Sequence, residues 1–281
     1  MRIGILGCDS SHTEEYTRIF SSRGVAVNVY WDPDPEVARD KQKIFGVGEV
    51  VTDLKDAISN VDLIMVEGRY GDSHFSPAKE ALLEGKRVYI DKPATINATE
   101  AQELAKLADE RRTVLSSFSP FVLDSSYQDF FRAHHGSSTF VISSPAFCRT
   151  IYHEKARDIS FYSSHATDLL AHLIRGFPAE VKVTPNEEGL WVDVFYESGR
   201  RGVINLIDDA DEFYRVVSLS GTNLNLLDIN PFGDMYERTA DYILETFSKQ
   251  EWHPGQFDQA LASMHLIDEI RIKAGTRAWK K

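Results

Sequence analysis

The 281-residue sequence contains only two cysteines and no long uninterrupted apolar segment. Cys8 and Cys148 are far apart in the sequence and form no CxxC pair, which suits a reducing compartment better than a disulfide framework. No segment has the length needed to cross a bilayer, and the first residues, MRIGILGCD, carry no signal-peptide pattern. We therefore expect a cytoplasmic protein in which both cysteines are small buried residues.

Basic residues are scarce as well. The 31 lysines and arginines are outnumbered by 43 acidic residues, which gives a net charge of -12. No local basic stripe opposes this field, so a nucleic-acid partner is not expected. The composition is 42% hydrophobic and 11% aromatic, which is enough for a substantial core, and the length favours two domains.

The first part of the chain alternates short apolar runs with amphipathic segments. This alternation is typical of βαβ units around a parallel sheet, and it predicts a Rossmann-like domain over residues 1–119. The first helix begins near His12, and Ser11 and Glu14 match a capping box. The predicted strands are 2–7, 25–31, 62–68, 87–91 and 113–118, and the further helices are 78–85 and 98–112.

Near Pro120 the alternation ends. A helix over 125–136 leads into segments that alternate apolar and polar residues, which is typical of antiparallel strands with one covered face. Gly199 and Arg200 predict a hairpin turn. We predict an α+β domain over residues 120–281 with a largely antiparallel open sheet, and two final helices over 233–249 and 256–275.

The turn after the first strand lies where a dinucleotide-binding turn belongs. The G-x-G-x-x-G pattern is incomplete, because its three glycine positions hold Gly7, Asp9 and His12. A carboxylate at position 9 brings negative charge toward a diphosphate. One interpretation is that Asp9, Ser10 and Ser11 only cap the helix; the other is a modified nucleotide turn in which Ser10, Ser11 and His12 donate to phosphate.

Asp32 follows the second strand, at about the spacing from Gly7 at which an acid contacts the adenosine ribose. In that role it predicts NAD rather than NADP as the preferred cofactor. The alternative is that Asp32 only forms part of a turn in WDPDPE, a composition common in turns.

Residues 84–93, EGKRVYIDKP, and the helix ATINATEAQELAKLADE after them resemble the glucose-fructose oxidoreductase, inositol dehydrogenase and rhizopine-catabolism family. The resemblance implies that Lys92, in the triplet Asp91-Lys92-Pro93, touches both the substrate and the nicotinamide ribose. It also implies that His74 lies in the loop on the nicotinamide side. The sequence departs from the family at Glu67, where the family has a threonine.

The position of Lys92 agrees with this role, because ligands of parallel sheets bind at the carboxyl ends of strands. The alternative is a surface lysine that pairs with Asp91.

The run SSHATDLLAHLIRG resembles the family's G-x-H-x-x-D helix, which implies that His165 abstracts the substrate hydroxyl proton. Helical spacing predicts that His165, Asp168 and His172 share one stripe. A metal site there lacks further ligands, so no metal is predicted; a buried or capping His165 is the other alternative. The family's aspartate four residues earlier is Phe161 here.

Tyr162 or Asp158 is the candidate replacement for that missing carboxylate, so the predicted substrate-binding residues are Lys92, Tyr162, His165 and Asp168. The remaining histidines have structural or surface roles by default: His134, His135, His153, His253 and His265.

Three functions agree with these residues. The first is an NAD(P)-dependent oxidoreductase acting on a sugar, cyclitol or similar polyhydroxylated compound, with Lys92 and His165 in the site. The second is a ligand-binding or regulatory protein that has lost catalysis, favoured by Asp9, Glu67 and Phe161. The third is a glycosidase that uses transient oxidation by NAD. The resemblance further implies a homodimer or homotetramer.

Overall fold

The computed structural model describes residues 1–147, 158–249 and 251–275. Cys148 and His153 lie outside them. Within the described residues the α-helices are α1 (Ser11–Ser22), α2 (Pro35–Phe45), α3 (Leu54–Ser59), α4 (Phe75–Leu83), α5 (Ala98–Arg111), α6 (Ser125–His134), α7 (Ser160–Leu173), α8 (Met235–Lys249) and α9 (Asp258–Ala274). Short 3-10 helices cover Gly71–Ser73 and Pro120–Leu123.

The β-strands of the described residues are β1 (Ile3–Leu6), β2 (Val27–Trp31), β3 (Glu49–Val50), β4 (Leu63–Val66), β5 (Arg87–Ile90), β6 (Leu115–Ser117), β7 (Thr139–Pro145), β8 (Glu180–Pro185), β9 (Gly189–Phe195), β10 (Arg201–Ile207), β11 (Tyr214–Ser220) and β12 (Asn223–Ile229). They form two six-stranded sheets. No helix of the described residues is both long and apolar enough to cross a bilayer.

The chain divides into two compact units. The first comprises Met1–Phe118 and Tyr236–Phe257, and the second comprises Ser119–Met235 and Asp258–Lys281. The predicted division after residue 119 is close to the first of these boundaries. It differs for residues 236–257, which follow the second sheet in sequence but contribute buried apolar side chains to the core of the first unit.

The first unit contains a parallel sheet with strand order β3-β2-β1-β4-β5-β6. Its central strands, such as β1 and β4, are buried at every position, as expected for a sheet that is covered on both faces. The predicted Rossmann-like fold is therefore confirmed. The order reverses between β1 and β4, and the carboxyl ends of these strands define the crevice where such sheets bind ligands.

The second unit contains a mixed sheet with strand order β12-β11-β7-β10-β9-β8. Most neighbours are antiparallel, as predicted, but β7 and β10 pair in parallel. The sequence does not reveal this pairing because it joins strands that are far apart in the chain. Helix α7 packs on β7 and against α9, so one face of the sheet is covered. On the other face Trp191, Leu224 and Leu226 are exposed.

One local prediction needs correction, and one alternative is incomplete. A turn at WDPDPE leads directly into α2, because Asp34 accepts a hydrogen bond from the Glu36 amide and Pro35 occupies the first helical turn. The N-cap of α1 is Ser10 rather than Ser11. The hairpin turn at Gly199 is confirmed, since Gly199 has φ of 78° between the antiparallel strands β9 and β10.

Candidate functional site

Gly7 forms the turn between β1 and α1. Its φ is +84°, a conformation that side chains disfavour, and a Cβ atom there would lie 2.6 Å from the amide nitrogen of Gly68. The Gly7 amide donates to the Trp31 carbonyl oxygen at 2.8 Å. The first glycine of the predicted motif is therefore required by the close approach of the segments that follow β1 and β4.

Asp32 lies directly after β2 and is only 7% exposed. One carboxylate oxygen accepts from the Cys8 amide at 2.6 Å, and the other accepts from the Asp34 amide at 2.9 Å. Burial raises the pKa of this carboxyl above its usual range, although these two hydrogen bonds oppose the shift. The carboxylate is thus held beside the turn after β1.

The structure separates the roles of the three polar residues in this turn. The Ser10 hydroxyl accepts from the His12 amide at 3.1 Å and caps α1, whereas Ser11 is exposed at the first helical position. Asp9 does not cap the helix. It is exposed, and its carboxylate accepts from the Arg69 amide at 2.8 Å. Asp9 therefore links the turn after β1 to the loop after β4.

His12 takes the third glycine position and makes two side-chain contacts. Its Nδ1 atom lies 2.7 Å from an Asp91 carboxylate oxygen, and its Nε2 atom lies 2.7 Å from the Tyr236 hydroxyl. The imidazole thus connects the carboxyl end of β5 to the beginning of α8. Sequence reasoning missed Tyr236, which is 224 positions from His12 and belongs to no motif.

Glu67 follows β4 and is fully buried. Neither of its carboxyl oxygens has a hydrogen-bond partner among the described residues, and the same is true of Oδ1 of Asp91. Burial and the neighbouring Asp91 charge raise the pKa of Glu67 well above its usual range. Burial also acts to raise the pKa of Asp91, but the contact with His12 and the charge of Lys92 outweigh it, and the net shift is downward.

His74 is fully buried, with its two ring nitrogens next to backbone carbonyl oxygens. Nδ1 lies 2.8 Å from the Pro93 oxygen and Nε2 lies 2.6 Å from the Gly68 oxygen. This imidazole joins the loop after β4 to the turn after β5, where the Lys92–Pro93 peptide bond is cis. Lys92 is only 6% exposed, so the alternative of a surface lysine is wrong.

In the second unit, His165 lies on α7 and is largely buried. Its Nδ1 atom is 2.7 Å from the Ser119 hydroxyl, and its ring packs 4.8 Å from Phe121 and 5.0 Å from Tyr214. The Ser119 amide donates to Asp168 at 2.6 Å. His165 and Asp168 thus meet at one serine, which sequence reasoning missed because Ser119 carries no recognisable motif.

His172 does not share this site. Its Nδ1 atom lies 3.0 Å from the Tyr127 hydroxyl oxygen, and the centroid of its ring lies 4.4 Å from that of the Phe131 ring, on α6. Burial, with a smaller contribution from the charge of Arg175, lowers its pKa to about 4. The predicted stripe of three polar residues on α7 therefore has two members with a common partner and one structural histidine.

The two proposed replacements for the missing carboxylate also differ. Asp158 accepts a hydrogen bond from the Ser160 amide at 2.8 Å and forms an ion pair with Arg271 at 3.0 Å. Its contacts therefore stabilise the first turn of α7. Tyr162 is buried, and its ring packs edge to face against Phe161 at 5.0 Å.

The predicted site residues form one group in each unit. The first unit holds Gly7, Asp9, Ser10, Ser11, His12, Asp32, His74, Asp91 and Lys92, all at the carboxyl edge of its parallel sheet. The second holds Tyr162, His165 and Asp168 on α7. Their roles as ligand contacts stay predictions.

Comparison with known proteins finds a family match for the first part of the chain. Residues 1–118 match the model of an oxidoreductase family with an NAD-binding Rossmann fold. Inositol 2-dehydrogenase of Burkholderia vietnamiensis is 30% identical over 126 residues, which are 42% of this chain and 36% of that protein. An uncharacterized oxidoreductase of Escherichia coli is 46% identical over 59 residues, which are 21% of this chain and 17% of that protein.

Solved structures show the same fold over nearly the whole chain. Scyllo-inositol dehydrogenase from Lactobacillus casei, solved with NAD(H) and scyllo-inositol, has a TM-score of 0.80 at 11% identity and covers 98% of this chain and 97% of its own. UDP-N-acetylglucosamine 3-dehydrogenase from Acidithiobacillus ferrooxidans has a TM-score of 0.79 at 16% identity, with 97% of each chain covered.

The first unit is thus a Rossmann domain of the dinucleotide-binding class. Residues 1–118 are similar in sequence to the Gfo/Idh/MocA oxidoreductase family. The chain spans about a third, 36%, of the length of the inositol 2-dehydrogenase that it matches.

Proposed function

We propose that the protein is an NAD-dependent oxidoreductase that oxidises a CH–OH group of a sugar, cyclitol or related polyhydroxylated compound. The observation that carries this proposal is the turn at Gly7, held against the carboxylate of Asp32 at the β1–β4 crevice. The sequence match of the first unit to NAD-binding oxidoreductases supports the same activity.

The residues of the first unit fit a dinucleotide at its adenosine end. The Asp32 carboxylate can accept hydrogen bonds from the hydroxyl groups of the adenosine ribose, and its negative charge disfavours the additional phosphate of NADP. Ser10, Ser11 and His12 surround the start of α1, where the diphosphate would be held. Asp9 opposes this binding through its charge.

We assign His74, Asp91 and Lys92 to the part of the site that binds the nicotinamide end of the cofactor. When bound, the cofactor supplies hydride acceptance. Lys92 orients the substrate hydroxyl from a position that is only 6% exposed.

We assign the base role to His165. With Nδ1 held by Ser119, the Nε2 atom takes the hydroxyl proton as the hydride leaves the same carbon. Asp168 positions Ser119 by accepting a hydrogen bond from its backbone amide, and Tyr162 contributes to substrate binding.

Dinucleotide binding is the direct test. We expect NAD(H) to raise the melting temperature of the full chain and to quench tryptophan fluorescence, with NADP(H) weaker. His165→Ala should lower kcat by about 10²–10⁴-fold while leaving NAD affinity nearly unchanged. His253→Ala, which changes an exposed histidine, is the control. The proposal fails if neither dinucleotide binds at high concentration, or if His165→Ala reduces affinity and turnover equally.

The second candidate is a ligand-binding or regulatory protein without catalysis. It is favoured by the contact of Asp9 with the Arg69 amide, which bridges the two loops of the crevice. Asp9→Gly should tighten NAD binding if Asp9 only repels the diphosphate. Weaker binding in Asp9→Gly would instead assign Asp9 an essential contact.

We also propose a homodimer or homotetramer in the cytoplasm. The family resemblance supports self-association, and the exposed face of the second sheet offers Trp191, Leu224 and Leu226 for it.

A further inference from the structure

We infer that His12, Glu67 and Asp91 form a binding site for a divalent first-row transition-metal cation. The site goes beyond the proposed dehydrogenase activity but shares His12 and Asp91 with the proposed cofactor contacts, so its test uses the protein without dinucleotide. Three protein segments supply it, since His12 belongs to α1, Glu67 follows β4 and Asp91 follows β5. One ligand atom from each residue lies within 4.8 Å of the others.

Strand register brings the two carboxyl groups together. Val66 and Ile90 are paired in the parallel ladder of β4 and β5, and the Asp91 amide donates to the Val66 oxygen at 2.9 Å. The residues that follow the paired positions, Glu67 and Asp91, are therefore neighbours at the same edge of the sheet. Their proximity is a consequence of the backbone and does not depend on a flexible side chain.

The carboxyl oxygens have unmet hydrogen-bonding capacity. Glu67 is fully buried and both of its oxygens lack a partner among the described residues, as does Oδ1 of Asp91. An unpartnered buried carboxyl group is strongly unfavourable, and such groups are rare in folded proteins. A cation between Glu67 and Asp91 would satisfy these oxygens and offset the two adjacent negative charges.

His12 supplies the third ligand, and Tyr236 orients it. Without metal, the Tyr236 hydroxyl can donate to Nε2 while Nδ1 donates to Asp91, in agreement with both distances of 2.7 Å. With metal, Nε2 would donate to the Tyr236 oxygen, and the lone pair of Nδ1 would face the cation. A metal-bound histidine commonly donates its other ring N–H to an outer partner in this way.

The donor set determines the kind of cation. One imidazole and two carboxylates suit Zn²⁺, Mn²⁺ or Fe²⁺, whereas Mg²⁺ and Ca²⁺ prefer oxygen ligands alone. His12 is the most exposed of the three residues, with 16% of its side chain accessible, and it marks the side from which a cation would enter. The sequence predicted no metal because these ligands are 55 and 24 positions apart and form no spacing motif.

The test is metal binding by the full chain after removal of metal with EDTA. We expect calorimetric titration with Zn²⁺, and separately with Mn²⁺, to show one saturable site per chain. Glu67→Gln should weaken this binding by at least about 10-fold, and Tyr236→Phe, which removes only the outer partner of His12, by about 10-fold. The Mn²⁺ spectrum in electron paramagnetic resonance should change when the site is filled.

Glu14→Gln is the matched control, because Glu14 lies on the same helix as His12 but pairs with Lys41 outside the cluster. It should bind metal as the unmodified chain does. The inference is overturned if neither metal binds saturably, or if Glu67→Gln, Tyr236→Phe and Glu14→Gln all bind like the unmodified chain. A protonated-carboxyl infrared band that disappears only in Glu67→Gln, and persists at saturating metal, would also overturn it and identify Glu67 as a neutral acid.

Discussion

At the scale of single residues, Gly7 combines two effects that would destabilise any other residue: a positive φ angle and a close contact with the backbone of Gly68. Its φ of +84° disfavours any side chain, and its Cβ position lies 2.6 Å from the Gly68 nitrogen. Gly24 has a similar φ of +71°, but a Cβ atom there meets nothing within 4 Å. We expect Gly24→Ala to lower the free energy of unfolding by about 1 kcal/mol, and Gly7→Ala by about 3 kcal/mol or more.

Denaturant unfolding of the full chain, followed by circular dichroism, measures both changes. Equal losses in Gly7→Ala and Gly24→Ala would mean that the turn relaxes and that the contact with Gly68 is not required. A larger loss in Gly7→Ala assigns the excess to that contact, since the two glycines have similar positive φ angles.

A second residue-scale prediction concerns pH and His172. Burial holds its folded pKa at about 4, below the ordinary value of 6.5. Between these values the unfolded chain binds a proton that the folded chain does not, so stability present above pH 6.5 is lost as the pH falls toward 4. The free energy of unfolding changes by at most about 1.4 kcal/mol per pH unit through this group, and partial exposure of the ring reduces that value.

His172→Gln should remove the pH dependence that His172 causes. When the pH is lowered from 7 to 5, the free energy of unfolding of the unmodified chain should therefore decrease by about 1–2 kcal/mol more than that of His172→Gln. The comparison uses urea unfolding at the two pH values. His253→Gln changes an exposed histidine and should keep the original dependence. The same pH dependence in all three proteins would exclude His172 as its source.

The sequence predicted the positions of residues that belong to local patterns. Asp32 directly follows β2 and Lys92 follows β5, as the strand pattern indicates. Tyr236 and Ser119 were missed because each acquires its importance only from a distant contact, to His12 and to His165. Side-chain polarity identifies such residues as candidates for hydrogen bonding but does not identify their partners.

At the scale of elements, α8 is the clearest case of a segment whose sequence position differs from its place in the fold. It follows β12 in the chain, yet Ile243 and Phe247 are buried in the core of the first unit together with Tyr16 and Phe20 of α1. Helical periodicity predicted the helix itself. It contained no information on which sheet the apolar face would cover, because that choice depends on the path of the whole chain.

Phe247→Ala tests the contribution of α8 to the first unit. Its side chain is fully buried, so truncation should lower the free energy of unfolding by about 3–5 kcal/mol. Ile272 lies on α9 and is 72% exposed, so Ile272→Ala should change the free energy of unfolding by about 0.5 kcal/mol or less. Thermal unfolding followed by near-ultraviolet circular dichroism gives the comparison. A small effect in Phe247→Ala would mean that the first unit is stable without this helix contact.

At the scale of the whole molecule, net charge and the exposed sheet face act in opposite directions. The charge of -12 makes two copies repel one another, whereas the apolar side chains of Leu224 and Leu226, 65% and 54% exposed, favour contact between copies. Salt screens the repulsion and leaves the apolar contact largely intact. Association through this face should therefore strengthen as ionic strength rises.

Sedimentation velocity at about 0.01 M and about 0.15 M salt, where the Debye lengths are about 30 Å and about 8 Å, measures this dependence. Leu226→Arg places a charge on the sheet face and should shift the protein toward the monomer at both salt concentrations. Phe232→Arg is the matched control, because Phe232 is 89% exposed but lies in the loop between β12 and α8. If both variants dissociate equally, the effect is not specific to the sheet face and the proposed contact is overturned; if only Leu226→Arg dissociates, copies of the chain meet through the second sheet.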